Sequence, residues 1–241
     1  MITDAQGIVL SGMRYRETGK ILRVFTRDYG ILPVMAHGVY KKNSNLLSVT
    51  EWFAESYFCL DRGRSFYYLR AAELVDLHYA LRRDYARIQN AQLCALFLLR
   101  SIPEEHPQQS LYDLYARLLK TLPGSLSPVQ SGTAFLLQAA RSMGYQPTLY
   151  ACASCGNRKI QTMRFSHTLG GILCENCRIA GEYLQPFSKE SYMNIYTLLR
   201  EPLESIAQQN APPSAEQDQK LVRTYLASAM GLPIKGRNKR K

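Results

Sequence analysis

The sequence contains no run long and apolar enough to span a bilayer. Its longest apolar-leaning stretch, residues 91–99, is interrupted by Gln92 and is far short of the about 20 residues a transmembrane helix needs. The opening MITDAQGIVL carries an acid at Asp4 and has neither the basic start nor the apolar core of a secretory leader. A cytoplasmic protein is the expectation. Phosphate-cradling G-x-x-x-x-G-K-[ST], strand-linked G-x-G-x-x-G, H-E-x-x-H and G-x-S-x-G are all missing. The four histidines have no nucleophile or acid partner at local spacing. The expectation is therefore a protein that is not an enzyme and has no catalytic residue.

Acidic residues are also scarce. Against 30 Lys and Arg stand 19 Asp and Glu, giving a net charge of +11. A balance that basic favours a polyanionic partner, most often nucleic acid. Charged residues make up 20% and hydrophobic residues 46%, an ordinary globular composition that argues against disorder. The positive charge is spread along the chain, so a nucleic-acid surface has to be assembled from several segments.

What is present divides into zones. Residues 1–78 contain five short β-rich runs: 7–10, 21–25, 31–35, 52–60 and 66–74. Asp28-Tyr-Gly30 and Asp61-Arg-Gly-Arg64 are the turn signals between them. Five strands in so short a segment predict a small barrel, with an OB-type barrel first and an SH3-like barrel second. From about residue 78 the period becomes helical, with Leu81, Tyr85, Ile88, Gln92, Ala95, Leu96 and Leu99 at helical spacing and Gln92 the one polar interruption. Ser110, Ser127 before Pro128, Ser188 and Ser214 read as helix starts, and Gly144 and Gly231 as helix stops. The fold class expected is α+β: an N-terminal OB-fold barrel (1–78), then a mostly helical domain (79–241) carrying an inserted four-cysteine module at about 150–180. A basic tail, residues 235–241, is expected to be mobile.

The inserted module rests on the cysteines. Cys152-Ala-Ser-Cys155 and Cys174-Glu-Asn-Cys177 form two C-x2-C pairs with the spacing of a closed, structural zinc site. Four sulfurs would complete the shell and leave no open position for water. An iron–sulfur cluster ranks second and a redox pair third. His167, between the pairs, reads as a packing residue. Cys59 and Cys94 stand alone in apolar contexts and read as small core residues.

The nucleic-acid surface is expected in the barrel loops. Arg14, Arg16, Lys20, Arg23 and Arg27 surround the first connection, Tyr40, Lys41 and Lys42 lie in a second, and Arg62 and Arg64 flank Gly63 in a third. Basic side chains interleaved with aromatics bind single strands by phosphate contact and base stacking. An RNA-binding barrel with a zinc ribbon and a nucleic-acid-modifying enzyme with structural zinc are the alternatives on these residues.

The order of parts resembles the RecO family of recombination mediators. The resemblance is carried by Gly7-Ile-Val-Leu10, Tyr15-Arg-Glu-Thr-Gly-Lys-Ile21, Phe25-Thr-Arg-Asp-Tyr-Gly-Ile31 and the glycine of Ala36-His-Gly38 before Lys41-Lys42. The four cysteines, reached through Gly144-Tyr-Gln-Pro147, complete it. It implies an OB-fold, a helical domain and one bound Zn²⁺. It also implies a DNA-repair role without turnover: binding single- and double-stranded DNA and annealing complementary strands. The partners it implies are RecR and the acidic C-terminal tail of the single-stranded-DNA-binding protein, in RecA loading near the nucleoid.

Overall fold

A computed structural model of the chain describes residues 2–182 and 184–231; the basic tail 235–241 lies outside them. By compactness the chain divides into two units, Met1–Pro123 and Gly124–Lys241.

The first unit is built on a closed barrel. Its strands are β1 (Ile2–Tyr15), β2 (Gly19–Thr26), β3 (Gly30–Ala36), β4 (Glu55–Arg62) and β5 (Tyr67–Asp76), with a single helical turn, α1 (Leu46–Val49), before β4. The order around the barrel is β1-β2-β3-β5-β4. The long β1 pairs antiparallel with β4 through Ile2–Ile8 and with β2 through Gly7–Tyr15, with a register shift between Val9 and Ser11. Such a bulge lets one strand bend and serve two sides of a barrel. β3 and β5 close the ring in parallel, with Val34 opposite Tyr67 and Met35 opposite Tyr68. This is an OB-fold topology.

Alternation fills the interior. Val9, Leu22, Val24, Leu32, Val34, Phe58, Leu60 and Leu69 turn inward and are buried together. The fourth strand starts at Glu55, three residues later than its aromatic run suggests. Phe53 has φ +70, which extended backbone does not allow, and its N–H donates to Val9 O (2.9 Å) to hold the turn.

The unit continues past the barrel. A 3-10 turn (Tyr79–Arg83) precedes α2 (Tyr85–Ser101), and α3 (Gln109–Thr121) follows. α2 begins where Asp84 accepts from the N–H groups of Ala86 (2.7 Å) and Arg87 (3.3 Å), a cap stronger than the periodicity that points to an earlier start. α3 starts ahead of Ser110, which lies inside it. These helices cover the barrel: Tyr112 packs edge-on against Phe25 at 5.5 Å. Beneath Tyr112 lies a buried polar cluster. Glu55 is 2% exposed and His78 4%. The Glu55 carboxylate accepts from Gln6 Nε2 (2.9 Å) and Tyr112 OH (3.4 Å) and faces His78 Nε2 at 3.7 Å.

The second unit is helical around α4 (Pro128–Ser142), with α5 (Lys189–Arg200), α6 (Leu203–Ala207) and α7 (Ala215–Ala229). α4 is buried along most of its length, as a central helix must be. Its start follows the sequence: Ser127 Oγ accepts from Gln130 N (3.3 Å), with Pro128 in the first turn. Ser188 caps α5 in the same way through Ser191 N (3.0 Å). Ser214 does not cap α7; its hydroxyl donates to Asp218 Oδ2 (2.9 Å), because Asp218 is buried and needs donors. α6 has no clear signal in the sequence.

Between α4 and α5 lies a small sheet in the order β7-β6-β8, made by β6 (Arg164–Ser166), β7 (Gly171–Leu173) and β8 (Gln185–Pro186). Phe165 anchors it against Phe187 (5.6 Å) and Tyr225 of α7 (5.7 Å). Burying three rings here contributes about 1.5–3 kcal/mol per side chain.

Candidate metal centre and nucleic-acid interface

The β6–β7 hairpin brings the second cysteine pair beside the first. All four sulfurs of Cys152, Cys155, Cys174 and Cys177 lie within 4.8 Å of one another. Cys155 Sγ and Cys174 Sγ are 3.8 Å apart. Sulfurs about 2.3 Å from a tetrahedral zinc are about 3.8 Å from each other, so the donor set fits such an ion. Gly156 has φ +75 and its N–H donates to Cys152 O (2.9 Å), turning the first knuckle. Cys177 N–H donates to Cys174 O (3.4 Å) in the second.

Burial pushes Cys152 up, but hydrogen bonds from the backbone around Cys155, Cys174 and Ser154 prevail and bring it down to about 6. Ser154 pulls Cys177 down, but the neighbouring cysteines outweigh it and push it up to about 12. Four negative charges this close cannot coexist unless a cation offsets them. The cluster can therefore hold a metal ion, which needs its sulfurs deprotonated.

Arg164 was not legible as part of this site. Its Nη2 donates to the carbonyls of Cys174 (2.7 Å), Glu175 (3.0 Å) and Cys177 (3.0 Å), bracing the second knuckle. Only the folded hairpin places it there. Glu182 fixes the hairpin turn by accepting from Ser166 Oγ (2.9 Å) and from the N–H groups of His167 (2.8 Å) and Thr168 (3.2 Å). His167 stacks edge-on with Phe165 (5.4 Å).

The basic barrel residues fall into two sets. At one end the β1–β2 turn and the loop after β3 are joined by Tyr40 N donating to Thr18 O (3.1 Å). The Arg14 guanidinium lies over the Tyr40 ring at 5.0 Å, and Arg16 lies over Tyr15 at 5.2 Å. Arg14, Arg16, Tyr40, Lys41 and Lys42 are exposed together here. Lys20 is not: it is 6% exposed, and its ammonium donates to Thr50 O and Glu51 Oε1, both at 3.0 Å.

Three members of the second set already have acidic partners. Arg27 forms a two-pronged pair with Asp113 (3.0 and 3.1 Å), which holds its guanidinium above the usual arginine range. Arg23 pairs with Glu104, and Arg62 with Glu105 at 3.0 Å. Arg64 is exposed in the β4–β5 turn. Beside that turn Tyr68, 37% exposed, stacks on His37 with ring centres 6.0 Å apart. Gly63 makes this possible, since a Cβ there would lie 2.4 Å from the Tyr68 ring. Neither Tyr68 nor His37 stands out in the sequence, where Tyr68 reads as one more strand aromatic.

Comparison with known proteins agrees with this architecture. Residues 1–78 match the family model described as Recombination protein O N terminal, and residues 82–238 match Recombination protein O C terminal. The DNA repair protein RecO of Exiguobacterium sibiricum is 30% identical over 76% of this chain and 73% of its own length. That of Alkaliphilus metalliredigens is 32% identical over 73% and 72%. That of Listeria monocytogenes serotype 4b is 28% identical over 96% and 91%. Among the described residues no helix is long and apolar enough to cross a membrane.

Proposed function

This chain belongs to the RecO family, and on that premise we propose that it binds single- and double-stranded DNA through its barrel and anneals complementary strands. It is a DNA repair protein rather than an enzyme. The observation that carries the reading is the joining of two barrel loops so that Arg14, Arg16, Lys41 and Lys42 share one end with Tyr40. Each cation neutralises a phosphate and releases a counterion. Two strands held there repel each other less, because their charges are offset within about a Debye length of 10 Å. The partly exposed Tyr68–His37 stack offers a ring face to unpaired bases. Work with RecR, the acidic tail of the single-stranded-DNA-binding protein and RecA in the cytoplasm completes this reading.

The four cysteines hold one structural Zn²⁺ in this reading, favoured by the sulfur spacing. The ion supplies a rigid cross-link. The chain's own residues do the rest: Arg164 fixes the second knuckle and Phe165 anchors the hairpin.

Fluorescence anisotropy with a labelled single-stranded oligonucleotide tests the interface. Replacing Arg14, Arg16, Lys41 and Lys42 together with Gln should flatten the slope of log K against log salt by about 2 to 3. Annealing of complementary strands should slow in parallel. An unchanged slope would place binding elsewhere.

A further inference from the structure

An acidic segment lies across part of the face on which OB barrels take oligonucleotides. That face comprises β2, β3 and the β1–β2 and β4–β5 loops. Here Arg23 projects outward from β2, since Leu22 and Val24 on either side point into the core. Arg62 stands at the start of the β4–β5 loop. The connection between α2 and α3 reaches both: Glu104 pairs with Arg23 and Glu105 with Arg62.

The backbone seats the segment independently of those charges. Glu104 forms a parallel bridge with Ile31 of β3, and Glu105 N–H donates to Ile31 O (3.1 Å). Gly30 lets the segment approach: a Cβ there would lie 2.3 Å from His106 O. Glu105 takes φ +57, which aims its side chain at the cost of backbone strain. Ile102 is buried and anchors one end, while residues 103–110 are exposed.

We infer that the 102–106 segment is a phosphate-mimicking strap whose two carboxylates occupy arginines of the nucleic-acid face and weaken DNA binding. The inference rests on the proposed DNA-binding function and concerns its regulation. The exposures separate a strap from ordinary fold-stabilising pairs. Arg23 and Arg62 side chains are 38% and 58% exposed, and Glu104 and Glu105 are 49% and 44% exposed. Pairs this exposed contribute little to stability, and a nucleic acid can displace them. What they do control is whether two guanidiniums on the binding face are free. A strand that displaces the carboxylates gains Arg23 and Arg62 next to Arg64 and the Tyr68–His37 stack.

The test compares wild-type protein with E104Q/E105Q, using the same labelled oligonucleotide across a salt series. Gln keeps the side-chain shape and leaves the backbone bridge in place. The variant should bind about five- to tenfold more tightly at low salt, as expected if two surface pairs no longer compete. Its salt slope should steepen by about 1.4, two further phosphate contacts on a single strand. Adding R23Q/R62Q to that variant should abolish the gain. If the wild type binds and E104Q/E105Q binds no better while melting at the same temperature, the strap is overturned and the DNA-binding reading stands. If neither protein binds the oligonucleotide in a salt-dependent way, the DNA-binding reading itself fails. Should the double variant unfold, E104Q and E105Q singly must each show part of the gain, or the strap is overturned.

Discussion

Replacing Cys174 with Ser is expected to abolish stoichiometric metal binding and to lower the melting temperature of the helical unit sharply. Cys174 is 1% exposed and packs with Cys152 and Leu173 in the small core of the module. Its sulfur lies 3.8 Å from Cys155 Sγ, and a serine hydroxyl is a hard, protonated oxygen that does not replace a soft thiolate. A ligand that binds only the folded state at about 1,000 times its Kd adds about 4 kcal/mol, and loss of the fourth sulfur removes most of that. The damage should be local first. Phe165 remains held by Phe187 and Tyr225, so hydrogen exchange should accelerate in 152–160 and 174–182 before it does in β6. Chelation of wild-type protein should give the same pattern. Falling pH should release the metal, because protons compete for the thiolates. Cys59→Ser, outside the cluster, serves as the control. Protein purified without chelator that contains no zinc by elemental analysis would refute the centre, as would a Cys174→Ser variant that keeps its metal.

Glu55→Ala is expected to destabilise the barrel unit by about 2–3 kcal/mol, since it leaves Gln6 Nε2 and Tyr112 OH without their acceptor. Both donate to this carboxylate, and His78 Nε2 faces it at 3.7 Å without a hydrogen bond. Glu55→Gln keeps an acceptor for the first two and should cost less. The pH dependence has a definite sign. His78 holds the Glu55 carboxyl below its usual value of 4.5, against the upward push of burial. A carboxyl lowered in the folded state contributes stability that is fully present above pH 4.5 and is lost as pH falls through its folded value. Denaturant titrations from pH 7 to pH 3 should show a steep acid limb in the wild type and a flatter one in Glu55→Gln. Parallel limbs in the two proteins would mean that the pair does not set the acid stability.

Much of this was legible in the sequence, for a local reason. Ser127, Ser188 and Gly144 act on backbone groups a few residues away, so their roles can be read in one dimension. The strands announced themselves by β-branched and aromatic runs, and two C-x2-C pairs encode their own geometry because each knuckle is four residues long. β4 starts later than its aromatic run suggests because one residue, Phe53, adopts a positive φ that its side chain does not advertise.

By itself the sequence determined a barrel, a helical region, a sulfur cluster and a surplus of positive charge. Only the tertiary structure decided which of those charges are free. Arg23 meets Glu104 across 81 positions, and Arg27 meets Asp113 across 86. Lys20 is drawn inside to Thr50 and Glu51, while Arg14 and Arg16 stay in solvent. Coulomb attraction depends on distance in space, and folding sets that distance with no trace in local spacing.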